Sequence, residues 1–390
     1  MLLIVVLTIF ADVTTASDIQ PPTSSIPATY FGMHMHHLDK ETPWPNVPVP
    51  EWRIWDAHVT WPDLEPHKGD WHFAKLDSYI SMAQQHGTGV LLTLGQSPVW
   101  ASARPPAPTA EPASMDDWRN YVKTVAQRYK GRIQAYEIWN EPNLPPFWSG
   151  TTDQMLALTK EASQIIHSVD PAALVVSPSV TATYGTPWLE EFLKKGAAQY
   201  VDVIGYHFYV TPKPPEDLVP FIQKVRQIMT ENGAGKKPLW NTETGWLEPS
   251  RFDSDEAAAA VLARSYILAW AAGVDRYYWY AWDNRKVTIK TTKEDNSTST
   301  SAGQAFATIQ QWLVGATMVS CSQSPEQTWT CQLSKSGQKE WVVWNPTREI
   351  KFTPPASWNV KNVTPLLQKT APSGSNPNIG PVPMLFSSGS

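Results

Sequence analysis

From Tyr30 onward, short apolar runs rich in β-formers alternate with longer segments whose apolar positions recur at helical spacing. The runs cover residues 30–36, 51–56, 89–95, 133–139, 173–179, 201–207, 238–243 and 275–282. Helices are expected near 71–86, 115–130, 152–168, 186–196, 215–232, 254–272 and 302–314. Only the link between the first two runs lacks one, because LDKETPWPNVPVP holds too many prolines to stay helical. Ser114 is placed to cap the helix that begins at Met115, Asp117 lies near its positive end, and Gly131 follows it. The runs are apolar along most of their length, as parallel strands covered on both faces must be. This rhythm over residues 30–315 predicts an α/β fold, a (β/α)8 TIM barrel. A doubly wound sheet would carry a Gly-rich phosphate turn after an early strand, and none is present. Beyond residue 315 the helical period stops. Alternating runs such as TWTCQL and EWVVWN sit between Gly, Pro and Ser turns, so residues 316–390 read as a small β-sandwich-like domain. Residues 18–29, rich in Pro, Ser and Thr, read as a linker.

With 42% hydrophobic and 17% charged residues in 390, the chain has globular composition and enough length for a large core. The net charge of −5, without a long run of either sign, gives no case for a nucleic-acid or anionic-membrane partner. Residues 1–17 carry an apolar stretch from Leu2 to Phe10, then Thr14-Thr15-Ala16, which suits a signal-peptidase site. That stretch is too short to span a bilayer. The expectation is a signal peptide and a secreted protein, extracellular or periplasmic. In an exported protein Cys321 and Cys331, ten apart around a turn-like segment, read as one local disulfide. Asn296-Ser297-Thr298 and Asn362-Val363-Thr364 fit the glycosylation pattern. The 20 Trp and 13 Tyr supply flat faces that fill cores and also pack against the C–H faces of sugar rings.

In a barrel the functional side chains gather where strands end. Here the first run ends in His34, His36 and His37, the second in Arg53 and Asp56, and the third leads to Gln96 and Trp100. The fourth ends in Asn140-Glu141, the sixth in His207 and Tyr209, the seventh in Glu243, and the eighth in Trp282 and Asp283. Glu141 and Glu243 belong to the fourth and seventh runs, which face each other across a barrel mouth. Two carboxylates across a cleft are what glycoside hydrolysis needs: one protonates the departing oxygen, the other attacks the anomeric carbon. An acid flanked by Trp139 and Trp148 would be desolvated and hold its proton. A guanidinium such as Arg53 would keep the nucleophile ionised, and Asn140 is placed to hold the sugar 2-hydroxyl. A plainer reading makes Glu141 a first-turn acid before Pro142. The matched Glu243 and the aromatic neighbours argue against it.

The segment YEIWNEPNLPPFW resembles the acid/base signature of clan A glycoside hydrolases, and in particular of glycoside hydrolase family 39. The similarity extends to WRIWDAHVTWPDLEPHKGDWHF, SPVWAS and WNTETGW, and covers roughly residues 30–315. The resemblance implies a retaining mechanism with Glu141 as acid/base and Glu243 as nucleophile. It implies Arg53, Asn140 and His207 at the subsite of the sugar that is attacked, and no cofactor. The segment Thr242-Glu243-Thr244-Gly245-Trp246 departs from that of the family's β-xylosidases and looks closer to its bacterial branch of endo-acting polysaccharide hydrolases.

Glu137, four before Glu141 and deeper in the barrel, is expected as a buried partner of Arg53. His34 and His36 would share one strand face, as metal ligands do; no further Cys/His cluster accompanies them, so no metal is expected and His36 joins the sugar-binding candidates with Tyr209. Asp56 is expected to order Arg53 or a nearby loop, and Asp283 to contact substrate or form a salt bridge. Trp100, Trp148, Trp246 and Trp282 are candidates for sugar stacking. The leading expectation is therefore a secreted retaining hydrolase of a β-linked glycan, endo-acting. The alternatives are an exo-acting β-xylosidase and a non-catalytic carbohydrate-binding protein on a barrel scaffold.

Overall fold

The computed structural model describes residues 19–38, 42–247, 250–368, 371–372 and 377–388. The expected signal peptide lies outside the described residues. The core is a parallel sheet in the order β5-β4-β3-β2-β1-β9-β8-β7-β6. Its strands are β1 (Phe31–His34), β2 (Glu51–Ile54), β3 (Gly89–Leu94), β4 (Ala135–Ile138), β5 (Leu174–Val176), β6 (Val180–Thr181), β7 (Ile204–His207), β8 (Leu239–Thr244) and β9 (Arg276–Trp279). β5 and β6 are two halves of the fifth barrel strand, parted by Ser177-Pro178-Ser179, where proline offers no N–H to a ladder. The ring closes across that break: Val176 bridges Val203, and Asn140 bridges Ser179.

The helices are α1 (Trp61–Leu64), α2 (Ala74–Gln85), α3 (Met115–Arg128), α4 (Thr152–Val169), α5 (Thr186–Lys194), α6 (Leu218–Glu231), α7 (Asp255–Ala271) and α8 (Ser301–Leu313). All the expected helices form. The single turn α1 was not expected; Thr60 and Asp63 close it as a capping box. Ser114 caps α3 by accepting from the Asp116 N–H. Helix α7 is buried almost all round, Arg264 included. Such a helix must be covered on both faces. The barrel covers one. The other faces the small domain, whose Trp344 indole donates to Glu216, the carboxylate that also pairs with Arg264.

The small domain is an antiparallel sheet of β10 (Thr317–Gln323), β11 (Trp329–Lys335), β12 (Gln338–Trp344), β17 (Met384–Ser387), β14 (Asn362–Pro365) and β15 (Ala371–Pro372). A two-stranded sheet of β13 (Ile350–Lys351) and β16 (Asn378–Ile379) covers part of one face. Between them Trp341, Val343, Val363, Ile379 and Phe386 form a separate small core. Cys321 and Cys331 are direct partners in the β10–β11 ladder and are joined by a disulfide. The stretch expected as a linker runs along this sheet: Ile19 bridges Cys321, Ser25 bridges Thr317, and the Ile26 N–H donates to the Ala316 carbonyl. No helix among the described residues is long and apolar enough to cross a membrane.

Candidate active site

Strands β2, β4, β7 and β8 deliver the site, and the chain turns sharply where they stop. Asp56 (φ 56°) lies just past β2, Gln96 (φ 60°) past β3, and Trp139 (φ 72°) and Glu141 (φ 46°) past β4. Left-handed backbone at side chains other than glycine costs of order 1–3 kcal/mol each, and such residues concentrate at functional sites. Glu141 is held there by its own N–H, which donates to the Ser179 carbonyl at 2.9 Å. One glycine is required by close approach. A Cβ on Gly245, just after β8, would lie 2.4 Å from the Tyr280 carbonyl oxygen.

Glu141 and Glu243 converge as expected. One carboxylate oxygen from each and one ring nitrogen of His207 all lie within 4.8 Å of one another. Both acids are 8% exposed, enough to reach a ligand. His207 Nδ1 lies 2.9 Å from Glu141 Oε1. Glu243 accepts from Arg53 Nη1 at 2.7 Å and from the Tyr209 hydroxyl at 2.9 Å, through different oxygens. Arg53 Nη2 donates to Asn140 Oδ1 at 2.8 Å, which turns the Asn140 amide N–H groups away from the guanidinium and leaves them as donors. Among the described residues Glu141, His207 and Glu243 form the one trio whose ligand-type atoms converge closely enough for a metal. The guanidinium already supplies positive charge to Glu243.

Beneath this layer Glu137 accepts from Arg53 Nε at 2.7 Å, from Thr93 at 2.7 Å, and from Ser179. It is the buried partner of Arg53, as the sequence indicated. Burial alone would raise its carboxyl; the charges of Arg53 and His207 and the hydroxyls of Ser179 and Thr242 outweigh that and hold it below the usual range. Burial pushes Glu243 up. The His207 and Arg53 charges oppose this, while Glu141 and Asp56 add to it. Burial, and next the Glu243 charge, push the Tyr209 hydroxyl far up, so it stays a donor. Burial followed by the Arg53 charge pushes His34 well down. With its Nε2 3.0 Å from the Thr242 carbonyl, which only accepts, His34 is neutral and carries its proton on Nε2.

The other candidates divide. His36 is buried beside the ring of Tyr280, at 5.0 Å between centroids. Burial lowers its basicity, although Asp283 and Asp56 oppose the effect. Asp283 accepts from the backbone N–H groups of His36 and His37, both at 2.9 Å, and so shapes the end of β1. Of the two roles expected for Asp56, the ordering of a nearby loop is the one seen: it accepts from the hydroxyl of Tyr280, just past β9, at 2.8 Å. Trp148, Trp246 and Trp282, expected as stacking faces, are only 3%, 2% and 1% exposed. Two of the rings face protein: Trp148 meets Trp139 edge-on and Trp246 stacks on Trp279. The Trp282 backbone N–H donates to the His34 carbonyl, while its buried indole N–H has no hydrogen-bond partner among the described residues. Little of their area is open to a sugar. Trp100 is half-buried, with its indole donating to the Glu65 carbonyl and Lys68 over its ring. Sequence reasoning missed Tyr280. Its ring packs against His34 and His36, and burial, followed by the Asp56 and Glu243 charges, raises its hydroxyl. Its place just beyond β9 was the signal that could have found it.

A family model described as Glycosyl hydrolases family 39 matches residues 73–280. The β-xylosidase of Geobacillus stearothermophilus is 27% identical over 158 residues, 34% of this chain and 31% of that protein. Endo-1,4-beta-xylanase 3 of Hypocrea jecorina is 32% identical over 87 residues, 21% of this chain and 24% of that protein. The matched regions thus span less than a third of the length of these relatives. A family 39 glycoside hydrolase from Bacteroides cellulosilyticus WH2 superposes with a TM-score of 0.75 at 18% identity, over 93% of this chain and 81% of that one, which shows a shared fold.

Proposed function

Since the chain belongs to glycosyl hydrolase family 39, we propose that it is a secreted retaining β-glycoside hydrolase that cleaves a β-linked polysaccharide or oligosaccharide by double displacement. One observation carries this reading: oxygens of Glu141 and Glu243 lie within 4.8 Å. Retaining enzymes hold their two carboxyl groups about 5–5.5 Å apart, whereas inverting enzymes need about 6.5–9.5 Å to admit a water. Two carboxylates this close resist ionising together. Arg53 and Tyr209 both donate to Glu243 and favour its ionised form. The cation and hydroxyl on Glu243 favour it as the group that attacks, which leaves Glu141 as the group that serves the leaving oxygen.

In the first step Glu243 attacks the anomeric carbon while Glu141 protonates the departing oxygen, and a glycosyl ester forms. In the second, Glu141 takes a proton from water as it attacks the ester, and Glu243 leaves as a carboxylate. Arg53 and Tyr209 are in place to receive the returning charge. The Asn140 amide, oriented by Arg53, donates to the 2-hydroxyl, a contact that strengthens in the transition state. Endo action is supported by the segment Thr242-Glu243-Thr244-Gly245-Trp246, which departs from that of the family's β-xylosidases. Exo-acting β-xylosidase activity is the second reading, favoured by the name of the Geobacillus relative. Export is supported by the apolar N-terminal stretch and by the disulfide.

The test is product release from plant, fungal and bacterial β-glycans by wild type beside Glu243→Gln. Oligosaccharides released by the wild type alone are the expected result. A single monosaccharide would promote the exo reading. Binding by both proteins without release would replace hydrolysis with carbohydrate binding.

A further inference from the structure

Among the described residues four large apolar side chains are exposed: Val99 at 59%, Tyr184 at 64%, Leu247 at 36% and Val319 at 54%. Three of them follow barrel strands on the catalytic side, and only Tyr184 is aromatic. Tyr184 sits in the 3-10 turn Thr183–Gly185, just after β6. This turn is built rigidly. Asn143 receives the Thr181 N–H at 3.0 Å and returns its own amide to the Thr181 carbonyl at 3.2 Å. The Ala182 N–H donates to the His207 carbonyl at 3.2 Å, and the Tyr206 hydroxyl donates to the Ala182 carbonyl at 2.7 Å. Ala182 itself lies at φ 57°, which the surroundings must hold in place. At Gly185 a Cβ would come within 3.2 Å of the Tyr206 hydroxyl and 3.3 Å of Asn143 Nδ2.

The residues that grip the turn are the neighbours of the acid. Asn143 lies two positions after Glu141, and His207 contacts the Glu141 carboxyl directly. The turn is thus latched to the Glu141 side of the site, where the oxygen of the leaving group must be protonated. A large ring kept in solvent on a fixed support gains nothing for folding. On that side it gains a sugar face to pack against.

We propose that Tyr184 is a specificity-determining residue: its ring is the stacking platform for the sugars of the leaving group, so that the enzyme selects chains that continue beyond the scissile bond. This rests on the reading of Glu141 as the acid. The turn fixes the platform, and the ring rather than the hydroxyl makes the contact.

The experiment compares wild type, Tyr184→Ala and Tyr184→Phe on two probes. One is the hexasaccharide of whichever panel glycan the wild type cleaves, xylohexaose in the case of xylan. The other is the matching β-glycosyl fluoride, whose leaving group is too small to reach Tyr184. Tyr184→Ala should raise KM for the hexasaccharide so that its loss in kcat/KM exceeds the loss on the fluoride by about tenfold. Tyr184→Phe should keep the wild-type ratio. Equal losses on both probes, or an unchanged hexasaccharide KM, would overturn the proposal while leaving the hydrolase reading intact. Failure of the wild type to cleave any panel glycan would remove both.

Discussion

The two ends of the barrel are each built around an arginine, a glutamate and a tyrosine, and β2 contributes to both. At the N-terminal end Glu51 pairs with Arg276 at 2.8 Å and accepts from the Tyr278 hydroxyl at 3.3 Å. The Arg276 guanidinium also lies 4.1 Å from the centre of the Trp240 ring. At the C-terminal end Arg53 serves Glu137, Glu243 and Asn140, and Tyr209 serves Glu243. The chemistry of the parts is the same and the accounting of charge is not. Below, one cation meets one acid, and Glu51 is 2% exposed. Above, one guanidinium is shared by two carboxylates, a third stands close by, and the outer two are each 8% exposed. A balanced, closed cluster plugs the barrel. The unbalanced, open one leaves two carboxylates within reach of a ligand.

The sharpest way to break this contrast is at the upper end. Glu141→Ala should slow the first, glycosylating step by about 10²–10⁴-fold for glycosides with poor leaving groups. Activated aryl glycosides should be spared at that step, as single-turnover kinetics would reveal. Equal loss on both substrate types would show that Glu141 is not the acid. Next is Arg53→Met, which leaves Glu137 and Glu243 buried beside each other without their cation. Breaking a buried pair in this way costs about 3–5 kcal/mol, readable in urea unfolding. A change below about 1 kcal/mol would mean that the network does not depend on the guanidinium.

The lower end should respond to pH and not to substrate. Burial, opposed by Arg276 and by the Tyr278 hydrogen bond, pushes the Glu51 carboxyl from its usual 4.5 up to about 7. Between those values the folded chain holds a proton that the unfolded chain has lost. Stability therefore falls as pH rises through that window, by about 3 kcal/mol, and is level above it. Glu51→Gln should flatten this part of the profile in urea titrations from pH about 4.5 to 7.5, with kcat within about twofold of wild type. An identical pH slope in the variant would show that Glu51 does not titrate in the plug.

Much of this arrangement was legible in the chain. The seven helices and the barrel strands follow from hydrophobic period, which records what each segment buries. The convergence of Glu141 with Glu243 follows from the rule that strand ends share one face. So does the burial of Glu137 against Arg53. Other features were hidden because they depend on contacts distant in sequence. Trp148, Trp246 and Trp282 stand after strand ends as binding residues do, yet other parts of the chain cover their rings. The hydrogen-bond partner of Asp56, Tyr280, stands 224 residues further along the chain. Residues 19–26 have a linker's composition, and their backbone nevertheless pairs with β10 because that edge offers free N–H and C=O groups.

Read along the chain alone, the residues specify the barrel, the order of its units and the convergence of Glu141 with Glu243. These are encoded in periodicity and in position along strands, both local properties of a chain. Contacts across the closed ring settle which aromatic rings meet solvent, which hydroxyl serves which carboxylate, and how charge is balanced at each end. Those depend on what lies opposite a side chain, and in a closed barrel what lies opposite comes from strands a hundred or more residues away.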